Sequence, residues 1–366
     1  MILIEKEYSS AIIYADQIDS GSKGLITALC NSPISENSKI RIMPDVHAGK
    51  GCAVGTTMTI TDKVAPGLVG VDIGCGVLAV KFQAKKFELQ KLDKLIYEKI
   101  PSGKNIRKKP HAYSNKIDLT QLKCYGYIMR DKALCSIGTL GGGNHFIEVG
   151  KAMDGYYWLI VHSGSRHLGV DVASCYHDRA FENCPKGTPY ELAYATGSLM
   201  DNYLHDMKIV QEYADLNRRA IVNEIIKGMK VDILEEISTV HNYIDLDSMI
   251  LRKGAVSAKL GEKIIIPMNM KDGSFICVGK GNPDWNYSAP HGAGRLLSRK
   301  DAKESFTVNQ YKKEMKGIYS TSINKNTLDE SPMAYKPMSS IVDKIGETVT
   351  TVDYIRPIYN FKSSEG

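Results

Sequence analysis

The sequence predicts an α+β fold: one compact, mixed domain over residues 1–366, with β-sheets and helices around them. Three observations predict it. Short runs rich in β-branched residues recur along the chain between Gly-containing turns. Two stretches carry apolar residues at helical spacing. No internal repeat, low-complexity linker or composition break divides the chain, and its length supports a substantial core.

The elements follow in order. The first 35 residues are mixed and poorly patterned. Residues 40–43 read as a short strand running into Pro44-Asp45-Val46-His47. Gly49, Gly51 and Gly55 accompany a β-rich run over 54–60, and a second Gly-rich block, 67–76, leads into a strand over 77–82. Leu89, Leu92, Leu95, Ile96 and Ile100 predict an amphipathic helix over 87–100, stopped by Pro101 and Gly103. Gly138 and Gly141 to Gly143 precede Asn144-His145-Phe146-Ile147-Glu148. Residues 157–161 read as a buried strand that delivers His162. The longest helical pattern spans 199–229, with Leu204, Met207, Val210, Tyr213, Ala214, Ile221 and Ile225 as its apolar stripe.

Composition bounds the function. Hydrophobic residues make up 43% and charged residues 24%, as in soluble globular proteins. No apolar run approaches the roughly 18–20 residues of a membrane span. The opening MILIEKEYSS lacks the basic-then-apolar order of a signal peptide, so a cytoplasmic protein with no membrane partner is expected. A net charge of +6 suits a polyanionic partner. Basic residues cluster over 81–109, which reads as a solvated helix face and basic loop, or alternatively as a phosphate-tracking surface. The eight Cys form no CxxC pair, which excludes a zinc ribbon or thioredoxin-type motif. Most should be reduced, buried thiols.

The chemistry concentrates in a few turns. His145, His162, His241 and His291 each sit at a strand edge or Gly-rich turn, and His47 is similarly placed. Sites are commonly built in such turns, where Gly lets a ligand approach the backbone. A lone His there is more often structural, but Asp72 and Cys75, three apart in a Gly-flanked turn, change the balance. That spacing lets both converge on one ion. Imidazole, thiolate and carboxylate suit zinc, manganese, iron or cobalt. A thiolate bridging two ions would give a two-metal site for phosphoryl or nucleotidyl chemistry. Spacing alone leaves the ligand set open. The chain contains no P-loop, no GxSxG elbow and no HExxH. Met270-Lys271-Asp272-Gly273 does not match the KxDG of ATP-dependent ligases.

Eight blocks stand in order along the chain: MPDVHAGKG at 43–51, VGVDIGCG at 69–76, GTLGGGNHFIEV at 138–149, HSGSR at 162–166, HNY at 241–243, RKGAVSA at 252–258, HGAGR at 291–295 and PMAYK at 332–336. Through them, from about residue 38 to Lys362, the chain resembles the RtcB family of RNA-splicing ligases. The resemblance implies two manganese(II) ions, one held by Asp72, Cys75 and His145, the other by Cys75, His162 and His241. It implies that His291 is guanylylated by GTP and that Asp45 holds its imidazole in the attacking tautomer. Asn144 and Glu148 would contact GTP, with Glu148 on the guanine edge, Tyr335 stacked on the base and Lys362 on guanine. Arg166 and Arg295 would bind phosphate, an ordinary ion pair being the plainer role for each. The implied substrates are RNA ends bearing a 3′-phosphate, or 2′,3′-cyclic phosphate, and a 5′-hydroxyl, in RNA repair or tRNA splicing. An activating protein such as archease is a possible partner. The rival reading keeps two metals but only hydrolyses phosphate esters at RNA ends.

The sequence departs from the family in four places. Residues 268–273, Met-Asn-Met-Lys-Asp-Gly, replace a Gly-Ser-Met-Gly block, so nucleotide contacts there should differ. His167 adds a titratable group beside Arg166. Ser363 to Gly366 extend the chain past Lys362, and the N-terminal 37 residues match weakly. These differences point to a branch of the family that repairs a particular broken RNA.

Overall fold

The computed structural model describes residues 1–363; the tail beyond Ser363 lies outside them. Two large sheets and the helices around them give the α+β architecture that the sequence predicts. The first sheet has six strands in the order Ile2–Glu5, Ser10–Ile13, Ile40–His47, Val54–Thr59, Ile250–Lys253 and Asn242–Asp245. The second has seven: Ile233–Val240, Gly76–Phe82, Tyr157–Ser163, Phe146–Lys151, Val349–Lys362, Ser274–Gly279 and Lys263–Pro267. Every pair in the second sheet is antiparallel, while Ser10–Ile13 runs parallel to Ile40–His47 in the first.

One helix, Gly197–Met229, serves both sheets. At 33 residues it is about 50 Å long. Its early turns bury Met200, Tyr203, Met207, Val210 and Tyr213 in a core shared with Ile13, Ile42, Met58 and Leu251 of the first sheet. Its last turns bury Ile221, Val222, Ile225 and Met229 against Leu78, Val80, Val149 and Val161 of the second. The apolar stripe read from the sequence is this double contact, and Lys230, in the left-handed region at φ 56°, ends it. The predicted helix over 87–100 is Leu89–Lys99, packed by Leu92 and Ile96 into the second core. Among the described residues, no helix is long and apolar enough to cross a membrane.

Four parts differ from the sequence reading. The unpatterned N-terminus is a hairpin plus the helix Ser20–Cys30, whose N-cap Asp19 accepts from the Ser22 amide. Its strands are four residues each, too short to display a period. The strand expected over 40–43 continues to His47 through Pro44. Its register with Val54–Thr59 shifts between Ile42 and His47, a place where a residue without an N–H is tolerated. The 14-residue strand Val349–Lys362 and the helix Arg166–Asn183 were not anticipated.

The two sheets meet where the chain passes from Ile233–Val240 directly through His241 into Asn242–Asp245. Asn217 of the long helix fixes two loops beside this seam. Its side-chain oxygen accepts from the amides of Gly138 and Thr139 at 2.8 and 3.1 Å. Its NH2 donates to Ser163 Oγ and to the Gly164 carbonyl, both at 3.0 Å. Asn217→Ala would strip four buried groups of a partner at once. Thermal or urea unfolding should show a loss of about 2–4 kcal/mol, and a loss below 0.5 kcal/mol, roughly that of a surface substitution, would contradict this role.

Candidate active site

The seam gathers residues from five strand ends. Cys75 sits just before Gly76–Phe82, His145 just before Phe146–Lys151, and His162 within Tyr157–Ser163. His145 Nδ1 donates to the Leu140 carbonyl at 2.8 Å, and His162 Nδ1 to the Asn144 carbonyl at 3.1 Å. A carbonyl can only accept, so both rings carry a proton on Nδ1 and turn Nε2 to the centre. There His145 Nε2 lies 3.4 Å from Cys75 Sγ and 3.0 Å from Asp72 Oδ2. His162 Nε2 lies 3.3 Å from Cys75 Sγ and 3.3 Å from His241 Nε2.

Each of these contacts needs a proton or a cation between its two atoms, since the lone pairs of sulfur, imidazole and carboxylate would otherwise face one another. Two groups have the spacing to hold one: Asp72, Cys75 and His145, and Cys75, His162 and His241, each with ligand atoms within 4.8 Å of one another. Cys75 belongs to both. Burial, then the charges of neighbouring His and Lys362, pushes His162 well below its ordinary pKa, and burial does the same to His241. Both rings are therefore neutral ligands at pH 7. Burial would raise Asp72, but the hydrogen bond and charge of His145 and the charge of Arg166 outweigh it and hold the carboxyl low. Burial and Asp72 push the Cys75 thiol well up. A divalent ion reverses that last preference, since a coordinating thiol gives up its proton. The donor set thus fits two divalent ions that share a thiolate.

Asp72 is held from behind. Its Oδ1 accepts from Ser165 N at 2.9 Å and Ser165 Oγ at 3.2 Å. Gly164 allows this approach: a Cβ there would stand 2.1 Å from Asp72 Oδ1.

Beside the ligand cluster lies His291, its ring centroid 4.8 Å from that of His241. His291 Nδ1 donates to Asp45 Oδ2 at 2.7 Å, and its backbone N–H reaches the same oxygen at 3.2 Å. Asp45 is fully buried. The pairing puts a proton on Nδ1 and leaves His291 Nε2 as the ring nitrogen not engaged by Asp45. His291 opens onto a cavity of about 750 Å³ whose wall includes His162, His241, Asn144, Glu148, Tyr335 and Lys362. His47 also lines it; its Nδ1 donates to the Asp45 carbonyl at 2.9 Å, and burial lowers its pKa to about 4.

All the residues expected to contact nucleotide therefore line one cavity. Glu148 is buried there, with Oε2 accepting from Asn360 at 2.7 Å. Its Oε1 has no well-formed hydrogen bond, although the Ser274 hydroxyl is nearby. Burial, only partly offset by Lys362, pushes its pKa up to about 8. The two Arg separate. Arg295 lines the cavity but is tied to Glu330 at 3.1 Å and to the Asp329 carbonyl at 2.6 Å. Arg166 lies outside that lining, its Nη2 donating to the Gly103 carbonyl at 3.1 Å. It packs where a Cβ on Gly141 would stand 1.6 Å from its Nη1, and it holds a left-handed φ of 55°.

Sequence reasoning missed Glu330. This buried carboxylate receives Lys362 Nζ at 2.5 Å, Tyr335 Oη at 2.6 Å, Arg299 at 2.9 Å and Arg295 at 3.1 Å. Burial opposes its ionisation, but Lys362, Arg299 and Arg295 together hold it at about 2. Its only sequence signal was its position two residues before the PMAYK block. In that block, Lys336 Nζ donates to the Pro44 carbonyl at 3.1 Å and also to that of Val46, tying it to the strand that carries Asp45.

The divergent loop forms a Met-bearing wall, with Met268, Asn269 and Met270 on the cavity. Asn269 Oδ1 is committed to its own turn, accepting from the amides of Lys271 and Asp272 at 2.9 Å. His167 faces Lys132 and Asp171 at 3.2 and 3.4 Å, away from the cavity lining. In the basic stretch, Arg107 is spent on the carbonyls of Ile137, Gly138 and Lys99, while Lys104, Lys108 and Lys109 stay exposed. No disulfide joins any of the eight Cys.

The sequence model described as tRNA-splicing ligase RtcB matches residues 28–127 and 123–363. This chain belongs to the RtcB family. It is 30% identical to the RNA-splicing ligase RtcB of Escherichia coli strain K12, over 87% of this chain and 88% of that protein. It is 28% identical to the tRNA-splicing ligase RtcB of Aeropyrum pernix, over 93% and 91%, and 27% identical to that of Thermococcus kodakarensis, over 84% and 83%. The match begins at residue 28, so the family likeness takes in part of the helix Ser20–Cys30.

The shared thiol separates two substitutions. Cys75→Ala should leave the purified protein with little or no bound divalent metal after dialysis. Asp72→Asn should retain about half the metal of the parent. Elemental analysis checks both, and a Cys75→Ala protein with full metal content would refute a bridging thiolate.

Proposed function

We propose that the protein is an RNA ligase that uses GTP and two manganese(II) ions. It joins an RNA 3′-phosphate, or a 2′,3′-cyclic phosphate after its hydrolysis, to a 5′-hydroxyl through a covalent His291–GMP intermediate. The reading extends to a cytoplasmic setting in RNA repair or tRNA splicing. The observation that carries it is the buried His291–Asp45 pair at 2.7 Å, opening onto one cavity with Glu148, Tyr335 and Lys362.

In the first step His291 Nε2 attacks the α-phosphorus of GTP. A P–N bond forms, the bond to the bridging oxygen breaks, and pyrophosphate leaves. Asp45 stabilises the positive charge that develops on the ring by holding Nδ1–H. In the second step an oxygen of the RNA 3′-phosphate attacks the same phosphorus, and the P–N bond breaks. In the third, the 5′-hydroxyl attacks the activated 3′-phosphate, its proton is lost, and GMP departs. Two ions held by Asp72, Cys75 and His145 and by Cys75, His162 and His241 would neutralise charge on the transferring phosphoryl groups. Hydrolysis alone would need neither a nucleophile held in one tautomer nor a buried carboxylate at the far end of the cavity.

Incubation with manganese and α-labelled GTP, followed by denaturing electrophoresis, should give a labelled band. His291→Ala should abolish the band while retaining metal. Asp45→Asn, which can hold the wrong tautomer, should slow its formation about 10²–10⁴-fold. No band from a metal-loaded parent would defeat the ligase reading.

Glu148 yields a pH prediction. An acceptor for the guanine N1–H and 2-amino group must be the carboxylate. With a pKa near 8 in the empty cavity, GTP binding must release a proton below that pH. The GTP-over-ATP affinity ratio should therefore fall as pH drops from 8 to 6, by up to about tenfold per unit. Taking the ratio cancels titration of the phosphates. A ratio constant over that range would remove Glu148 from the guanine edge.

A further inference from the structure

Two buried carboxylates, Glu330 and Glu148, flank one buried ammonium, that of Lys362. Lys362 ends the strand Val349–Lys362, paired with Phe146, while Asn360 pairs with Glu148. Its Nζ donates to Glu330 Oε2 at 2.5 Å and to the Asn144 carbonyl at 3.2 Å, over the Phe146 ring at 5.2 Å. It makes no hydrogen bond to Glu148, whose Oε1 lacks a well-formed one. Glu148 nevertheless feels the Lys362 charge.

We propose that Glu330 is a positioning residue for guanine selectivity: by binding Lys362 it keeps that ammonium from pairing with Glu148, whose carboxyl is thereby left free to read the base. The inference rests on the assignment of Glu148 to the guanine edge. A direct Lys362–Glu148 ion pair would occupy the acceptor that the base requires. In this low-dielectric pocket an unpaired lysine would find the nearest carboxylate. Glu330 prevents this by offering a better anion, one itself fixed by Tyr335, Arg295 and Arg299. Four donors on one carboxylate leave it no freedom to turn, so Lys362 is held at a set distance from the base. The arrangement also explains why two acids of such different character coexist here. Glu330 is surrounded by cations and stays ionised, whereas Glu148 has its nearest cation engaged elsewhere and is pushed toward its neutral form.

The test measures binding of GTP and of ATP to the metal-loaded protein by equilibrium dialysis, so it needs no ligation. The parent should prefer GTP; equal binding of both nucleotides, or of neither, would defeat the assignment of Glu148 itself. Given that preference, Glu330→Gln should lower the GTP-over-ATP ratio about tenfold or more, the worth of a hydrogen bond to a charged group. Glu330→Gln/Lys362→Met removes the competing ammonium and should recover part of the ratio, which a merely disrupted cavity would not do. An unchanged ratio in Glu330→Gln, or a double variant no more selective than Glu330→Gln, would overturn the proposal. Metal content and unfolding temperature, read on each variant, confirm that the protein compared is folded; if Glu330→Gln does not fold, the proposal is judged on Glu330→Asp. The shorter acid, still charged but set back from Lys362, should lower the ratio to a smaller extent, and a parental ratio there would overturn it.

Discussion

Everything at the centre of this protein is arranged around lone pairs that face one another. The Nε2 atoms of His145, His162 and His241, the sulfur of Cys75 and a carboxylate oxygen of Asp72 converge within a buried seam, at 3.0 to 3.4 Å in the contacts between them. Protonating its members is opposed by burial for His162 and His241. Divalent cations would satisfy all five donors at once. The shared sulfur would also couple the two ion sites, because its thiolate would be stabilised by whichever ion bound first.

The surrounding fold keeps those lone pairs pointed inward. The rings of His145 and His162 are oriented by backbone carbonyls, those of Leu140 and Asn144, in loops that Asn217 and Ser163 fasten to the long helix. Asn144 does more than orient one ring. Its carbonyl accepts from His162 Nδ1 and from Lys362 Nζ, so a single oxygen ties His162 to Lys362. A shift of that loop would move both side chains together. The metal cluster and the cavity are in this sense one rigid unit, built on the antiparallel pairs that Phe146–Lys151 makes with its two neighbours.

How much of this could be read from the sequence depends on whether a residue's role is local. The ligand residues sit in Gly-rich turns whose chemistry is visible in a few consecutive letters, as in Val-Asp-Ile-Gly-Cys-Gly. The helical stripe from Leu204 to Ile225 has a period and was legible for that reason. The strand Val349–Lys362 was not, because it carries Pro357 at a register shift and threonines in place of an alternating apolar face. Glu330 was illegible on other grounds. An acidic residue in a polar stretch looks solvated, and only the fold brings Lys362, Arg295 and Arg299 onto it from distant or separate segments. Which Arg faces the cavity was equally a matter of tertiary placement: Arg295 and Arg166 each follow a Gly-rich His block, yet only Arg295 lines it.

The two ends of the cavity solve opposite electrostatic problems with the same residue type. Asp45 is buried beside a histidine that, on the proposed reading, would gain positive charge as it attacked, and a carboxylate oxygen on Nδ1 would lower the energy of that charged state. Around Glu148, burial outweighs the Lys362 charge and the Ser274 and Asn360 hydrogen bonds that favour ionisation, and it raises the pKa; on the proposed reading a bound base would add the missing donors. An empty cavity thus carries an acid whose charge is called out by the right ligand. Its folded pKa lies above the ordinary carboxyl value, so it favours the folded state most at low pH. That contribution fades as pH rises through about 8, where the carboxyl must ionise without a partner. On the proposed reading guanine would reverse the cost by supplying donors to the carboxylate, and adenine, which presents an acceptor at the same edge, would not. Discrimination between the two bases would then follow from leaving one buried oxygen unsatisfied.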